Sequence, residues 1–369
     1  MKLFLSDLHL GDGKERDDFQ YHRKFDELVV SLSEEFPKIE MVLLGDIFDL
    51  IRTKKYYELE GEPFTEDKLI AVKRIAMAEI LENHAPFFET LRHFVEQPDR
   101  QFRYVAGNHD FGTMIDNHLL ELIQERYALD FTPEHYYRDE SLGIWAEHGH
   151  RYDIVNNTFD EDGSPIPYCL GDQVVIEIVN KFFDKVKEKQ DELGIDPEII
   201  NDLDNVRPQT AIPNWLNSID EEGRLSQIFW ETVLAFGASH PGEVGALVLD
   251  LIQGNYQPDL LKAAKALAKK GFGKYILFGH THDPIEKNLS KGAKYLNTGT
   301  WRKFIEPKGR PSFVRKIVPT YSEGGTQFFG EEVFYRYKFT SIINLSYVLF
   351  YEEGEGEVGP RLIFQEKEV

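Results

Sequence analysis

The chain predicts an α/β fold that carries a mostly helical insertion and a β-rich C-terminal extension. Three observations lead there. Short apolar, strand-like runs alternate with helical periodicity over the first 150 residues and return after residue 272. Residues 151–271 break this alternation with helical periodicity of their own. From residue 321 to 369, aromatic and β-branched runs are punctuated by glycine. The expected organisation is one discontinuous domain from 1–150 and 272–320, a helical insertion at 151–271, and a β-rich extension at 321–369.

The elements follow in order. Lys2 to Ser6 is a short apolar strand. Phe19 to Phe36 is helical, with Phe25, Leu28, Val29 and Leu32 on one face. Met41 to Leu44 is the second strand. Lys68 to Val95 is two helices divided near Pro86, because proline cannot continue a helix interior. Phe102 to Ala106 and Leu142 to Ala146 are further strands, and Asp160 to Pro167 is a loop rich in acidic residues, glycine and proline. In the insertion, Gln173 to Leu193 places Val174, Val175, Ile178, Phe182 and Val186 on one helix face. Leu225 to Ala238 and Asp259 to Lys270 are the next helices, with Gly271 and Gly273 stopping the latter. Strands at Lys274 to Phe278 and Ala293 to Leu296 rejoin the first domain. Gly324-Gly325, Phe334 to Phe339 and Ser341 to Tyr351 suggest hairpins that end in a turn over Glu352 to Gly359.

Composition narrows the function. A chain of 369 residues buries a substantial core. One cysteine, Cys169, excludes an intramolecular disulfide and a tetrathiolate zinc site, and fits a reducing compartment. The apolar start, interrupted by Asp7, is too short for a signal peptide. No segment reaches the roughly 20 apolar residues that span a bilayer. A cytoplasmic protein is expected. The net charge of −22 opposes tight binding to a polyanion, so nucleic acid is not the expected partner.

Five clusters carry the chemistry: Asp7-Leu8-His9, Gly45-Asp46-Ile47-Phe48-Asp49, Gly107-Asn108-His109-Asp110, His148-Gly149-His150, and Gly279-His280-Thr281-His282. Each follows an apolar strand. In an α/β sheet the loops leaving strand carboxyl ends form the binding crevice, so clusters far apart in sequence meet there. Carboxylate, imidazole and amide donors without thiolate suit manganese, iron or zinc better than calcium or magnesium alone. Two such ions, roughly 3.5–4 Å apart, make the site of a phosphate-ester hydrolase, because they neutralise the anionic oxygens that repel a nucleophile. No Gly-x-Ser-x-Gly elbow and no glycine-rich phosphate loop with lysine is present.

The ordered set Asp-x-His, Gly-Asp-x-x-Asp, Gly-Asn-His-Asp, His and Gly-His-x-His resembles the calcineurin-like metallophosphoesterases, over residues 1–150 and about 272–301. The resemblance implies a four-layer αββα sandwich and two divalent metal ions, manganese first, with iron or zinc as the alternatives. It implies that Asp7, His9 and His282 hold the first ion, that Asp46 bridges, and that Asn108, His148 and His280 complete the second. His109 would stabilise the transition state or protonate the leaving oxygen, and Asp49 would orient it. A metal-bridging hydroxide would attack phosphorus in a small phosphorylated substrate. Asn297-Thr298-Gly299-Thr300 resembles the family's closing segment.

Ser6-Asp7-Leu8-His9-Leu10-Gly11, Leu44 to Asp49 and His148-Gly149 resemble the branch containing UDP-2,3-diacylglucosamine pyrophosphatases. That branch carries arginine where this chain has His109, and aspartate where it has His150, so its substrate is not transferred. Monoester, diester and pyrophosphate bonds all remain open, as do two alternatives: a nuclease acting on short nucleic acids, and a non-catalytic interaction scaffold. Arg52 and Arg151 follow ligand motifs and are candidate phosphate contacts or ion-paired arginines. His150 is a candidate substrate contact or a structural histidine. Trp301 reads as a core residue, and His22, His84, His93, His118, His135 and His240 as surface or structural histidines.

Overall fold

Two mixed sheets carry the architecture. The computed structural model describes residues 1–14, 16–60, 64–240, 242–253, 258–321, 327–353 and 357–368; Gly324-Gly325 and the centre of the turn expected at Glu352 to Gly359 lie outside them. Strands β1 (Lys2–Leu5), β2 (Ile39–Leu44), β3 (Arg100–Val105) and β4 (Pro133–Glu134) run parallel as neighbours in the first sheet. The second sheet takes β5 (Tyr137–Asp139), β6 (Ile144–Ala146), β7 (Tyr275–Phe278), β8 (Pro284–Asn288) and β9 (Lys294–Thr298) in the order β5-β6-β7-β9-β8. Its three central strands are parallel and both edges antiparallel. The first sheet is completed by β10 (Trp301–Tyr321), β11 (Gln327–Glu353) and β12 (Glu357–Glu368). β11 lies antiparallel to β1, with Phe4 opposite Val348 and Lys2 opposite Phe350.

Alternation along the strands decides what each face meets. Phe4, Val42, Leu44 and Val105 point toward the second sheet and share a core with Ile144, Ala146, Tyr275, Leu277 and Leu296. Leu3, Leu5, Met41 and Leu43 point the other way, onto Phe25 and Val29, Ala76 and Ile80, and Phe87 and Leu91, from the helices His22–Glu35, Glu66–Asn83 and Ala85–Glu96. On the far side of the second sheet, Ile276, Phe278 and Tyr295 pack against Leu260, Ala264 and Leu267 of the helix Leu260–Lys270. The succession is helix, sheet, sheet, helix. Each such side chain contributes about 1.5–3 kcal/mol on full burial. Asp259 caps the last helix by accepting from the Lys262 N–H at 2.9 Å, and Gly271, at φ 82°, closes it in the left-handed region.

Two compact units divide the chain. The first is Met1–Lys181, Tyr256–Lys303 and Ile343–Lys367; the second is Phe182–Asn255, Phe304–Ile342 and Glu368–Val369. These boundaries differ from those expected at residues 150, 271 and 320. Residues just past 150 stay in the first unit because Phe159 joins its main core and Ile176 packs with Tyr56 and Leu69. Residues after Ile343 belong to it because Val348 and Phe350 fill the space between the sheets.

The second unit is mainly helical, including Ile212–Ile219, Arg224–Ser239 and Glu243–Gln253. Phe182 meets Phe229 edge-on, and the Arg207 N–H donates to the Ile305 carbonyl at 2.8 Å. The face expected from Val174 and Val175 is rotated. A π-helical turn at Val175–Asn180 buries Ile176 and leaves both valines half-buried, since its extra residue shifts the helical register. Among the described residues, no helix is long and apolar enough to cross a membrane.

Candidate metal centre

The five clusters all belong to the first unit, and each begins within two residues of a strand's carboxyl end: β1, β2, β3, β6 and β7. Their loops are tied to one another by the backbone. The Asp7, His9 and Leu10 N–H groups donate to the carbonyls of Gly45, Asp46 and Ile47 at 3.0, 3.0 and 2.9 Å, and the Gly279 N–H donates to His148 at 2.9 Å. Parallel strands ending level make this sideways pairing possible.

Asp7 (φ 53°), His9 (52°), Asp46 (52°), His280 (72°) and His282 (64°) all adopt left-handed backbone. Side chains with a Cβ pay about 1 kcal/mol or more for that conformation. Only three other non-glycine residues among those described share it. The strain is concentrated on candidate ligands, where it turns their side chains inward.

Asp7, His9 and His282 present one donor atom each within 4.8 Å of one another, as do Asp46, His148 and His280, and a third such group, His9, Asp49 and His109, shares His9 with the first. Asp46 lies between the first two. Its Oδ1 accepts from the His109 N–H at 2.9 Å, while Oδ2 stands 3.1 Å from His148 Nε2 and 3.8 Å from His9 Nε2. Asp7 Oδ1 stands 3.3 Å from His282 Nε2, and both its oxygens accept from the His280 N–H at 3.1 Å. Ser6 donates to Asp7 Oδ2.

These residues fit divalent cations. His148 gives its Nδ1–H to the Leu44 carbonyl at 2.9 Å, which leaves Nε2 facing Asp46, buried and without a hydrogen bond. The Oδ1 of Asn108 is likewise buried and unpartnered. Buried polar atoms rarely stay unsatisfied, and imidazole, carboxylate and amide oxygens match manganese, iron or zinc. The clusters can hold a metal ion. Burial disfavours a charged His148, yet Asp46 and Asp7 outweigh it and push its pKa up to about 10. Burial also opposes ionised Asp46, but His148 and His109 hold its carboxyl well below the usual range. The surround therefore favours positive charge at this point.

His109 is set beside the ligands. Its Nδ1 lies 3.1 Å from Asp49 Oδ1, and its ring meets that of His9 edge-on at 4.6 Å. Burial works against its charge, but Asp49 and Asp46 prevail and push the imidazole up to about 9. Asp49 is fixed in turn by the backbone N–H groups of Ile51 and Arg52, which donate to Oδ1 at 3.3 and 3.1 Å.

The remaining candidates separate. Arg52 is buried, with Nη1 donating to Asp18 at 2.6 Å and lying 3.9 Å from Asp49 Oδ2. Arg151 is exposed, its guanidinium 4.5 Å from the centre of the Phe159 ring. His150 is buried among Phe111, Phe159 and His148, its Nε2 3.0 Å from Thr158 Oγ1. Trp301 is a core residue whose indole N–H donates to the Ser346 carbonyl at 2.9 Å. His22 and His84 pair with each other at 2.8 Å, away from the two ligand sets.

Three further side chains brace the arrangement, of which Arg302 and Asp153 carry no local sequence signal. Asp110 accepts from the N–H groups of Gly107 at 2.6 Å and Ile47 at 2.8 Å, locking two ligand loops together. Arg302 shares Asp18 with Arg52. Asp153 accepts from His280 Nε2 at 2.8 Å across 127 residues of sequence. No family model matches the chain, and no curated protein matches it.

Proposed function

We propose that the chain is a dinuclear metal-dependent phosphoesterase of the metallophosphoesterase type, cleaving a phosphate mono- or diester or a pyrophosphate bond in a small phosphorylated substrate. The observation that carries this reading is the convergence of candidate ligands from four strand ends into two sets that both face the Asp46 carboxylate, with the buried, unpartnered Asn108 Oδ1 on a fifth. The order helix, sheet, sheet, helix supports the αββα form of the fold.

Asp7, His9 and His282 would hold one cation, and Asn108, His148 and His280 the other, with Asp46 common to both. Two divalent ions supply charge neutralisation at the phosphate and a nucleophile from water near neutral pH. The chain's own residues do the rest. Asp46 is oriented by the His109 N–H, so a single oxygen faces both sets. With Nδ1–H given to Asp49, His109 carries its second proton on Nε2, available to a leaving oxygen. Burial opposes the charge on the ring, and the neighbouring Asp49 and Asp46 carboxylates favour it. Arg52, buried against Asp18 and Asp49, is held as an ion-paired arginine.

The test is hydrolysis of aryl phosphate mono- and diesters by the full chain loaded with Mn²⁺, alongside His109→Ala and Asp46→Asn. Metal-dependent turnover that is lost in Asp46→Asn and reduced in His109→Ala is the expected result. A chain that takes up Mn²⁺ yet hydrolyses none of a broad panel of phosphate esters overturns the proposal.

A further inference from the structure

We propose that Asp153 is a positioning carboxylate that fixes His280 as an Nδ1 ligand of the cation shared with Asp46, Asn108 and His148; this rests on the two-cation reading above. Asp153 Oδ2 lies 2.8 Å from His280 Nε2, and both side chains are buried. The carboxylate is itself held. Its Oδ1 accepts from the Val155 N–H at 3.0 Å and its Oδ2 from the Asn156 side-chain amide at 2.7 Å. The Asp153 backbone N–H closes the turn His150–Tyr152 by donating to the His150 carbonyl at 3.0 Å.

An ionised carboxylate only accepts, so His280 must place a hydrogen on Nε2 to meet it. A neutral imidazole then has its lone pair on Nδ1, and one ring nitrogen of His280 lies within 4.8 Å of donor atoms of Asp46 and His148. The other end of the residue is fixed as well, because its backbone N–H reaches both Asp7 oxygens at 3.1 Å. A ring held at backbone and far nitrogen has one orientation left.

The two histidines of this set differ in their outer partners. His148 gives its outer N–H to a neutral carbonyl, that of Leu44, whereas His280 faces a carboxylate. A carboxylate partner makes an imidazole the more basic ligand, and loss of such a partner costs roughly 10–100-fold in metal affinity. In the other set, His9 Nδ1 stands 3.4 Å from Asp49 Oδ2, a looser contact with a different carboxylate. Loss of Asp153 therefore falls on one cation position only.

Mn²⁺ titrated into the metal-stripped full chain, followed by calorimetry and by the electron paramagnetic resonance of the coupled pair, tests this. In Asp153→Ala, one of two binding steps is expected to weaken by roughly 10–100-fold, with the other unchanged and the coupled signal lost at low Mn²⁺. Asp153→Asn, which keeps an acceptor oxygen without the charge, is expected to fall between. Wild-type and Asp153→Ala isotherms that superimpose, both showing two ions, overturn the role of Asp153 alone. A wild-type chain that binds no pair of ions overturns the two-cation reading and this inference with it. Nitrogen-15 histidine spectra of the wild-type chain decide the matter without any variant. A hydrogen on His280 Nε2 supports the assignment, and a hydrogen on Nδ1 overturns it.

Discussion

The Nε2 of His148 stands 3.1 Å from the Oδ2 of Asp46, buried and without a hydrogen bond. The same Asp46 oxygen also faces His9, while its partner oxygen is occupied by the His109 N–H. On the proposed two-cation reading one carboxylate would serve both sets, and its removal would weaken both. Asp46→Ala is expected to bind fewer than two Mn²⁺ ions per chain, by elemental analysis after gel filtration. On the proposed reading, its hydrolysis of phosphate esters is expected to drop by more than about a hundredfold, the upper range for losing a mere outer partner of a ligand. Two ions retained at wild-type affinity would remove Asp46 from the bridging role.

His109 is expected to behave differently, since the two-cation proposal assigns it to proton transfer and its Nδ1 faces Asp49 at 3.1 Å. His109→Ala should keep two bound Mn²⁺ ions and lose about 10²–10⁴-fold in kcat, the usual range for a general acid. Asp49→Asn should lose less, because the histidine remains but its orientation loosens. Substrates with good leaving groups need no protonation, so the loss in His109→Ala should shrink for a nitrophenolate. An equal loss for good and poor leaving groups would assign His109 to transition-state charge stabilisation instead.

Much of this was legible in sequence, for identifiable reasons. Strand ends β1, β2, β3 and β7 were readable because apolar runs stop abruptly at polar, glycine-rich loops. The helix His22–Glu35 was readable because Phe25, Val29 and Leu32 recur at its period. The short strands β4, β5 and β8 escaped notice because two to five residues, mostly outside the core, leave no pattern. Phe334 to Phe339 and Ser341 to Tyr351 looked like separate strands, whereas β11 runs from Gln327 to Glu353 without a break. Val348 and Phe350 place its later part beside β1, a partnership spanning nearly the whole chain. Asp153 is hidden for a related reason: an aspartate contacting a distant histidine resembles any loop aspartate, whereas Asp110 is legible as the last residue of Gly107-Asn108-His109-Asp110.

Gly107 has a steric duty toward the site. A Cβ there would collide with Asp46, against both its Oδ1 and its backbone nitrogen. Gly107→Ala must displace either the loop after β3 or the shared carboxylate. It is expected to cost about 1–3 kcal/mol, the range for forcing an extra carbon into packed surroundings, read from denaturant unfolding of the metal-free chain. It is also expected to weaken Mn²⁺ binding, unlike Gly271→Ala, which lies at a helix end with open space around its Cβ position. A Gly107→Ala chain with wild-type stability and metal affinity would show that the loop yields freely.

Acid sensitivity far from the metal centre follows from Lys2 and Asp139, paired at 2.9 Å between the two sheets' first strands. Burial raises the Asp139 pKa, but hydrogen bonds from Ser141, Lys2 and the Leu142 N–H outweigh it and bring it from 3.8 to about 2. A carboxyl depressed in the folded state binds its proton more readily when unfolded, so the unfolded chain gains protons first as pH falls. The stabilisation is fully present above pH 4 and disappears as pH drops toward 2. Its size is about 1 kcal/mol, since the pair borders solvent and is partly screened. Unfolding free energies of wild type and Asp139→Asn, measured from pH 6 downward, should differ by that amount at pH 5–6 and converge near pH 2. A difference that stays constant across the range would mean that Asp139 acts through hydrogen bonds its amide also makes, and not through its charge.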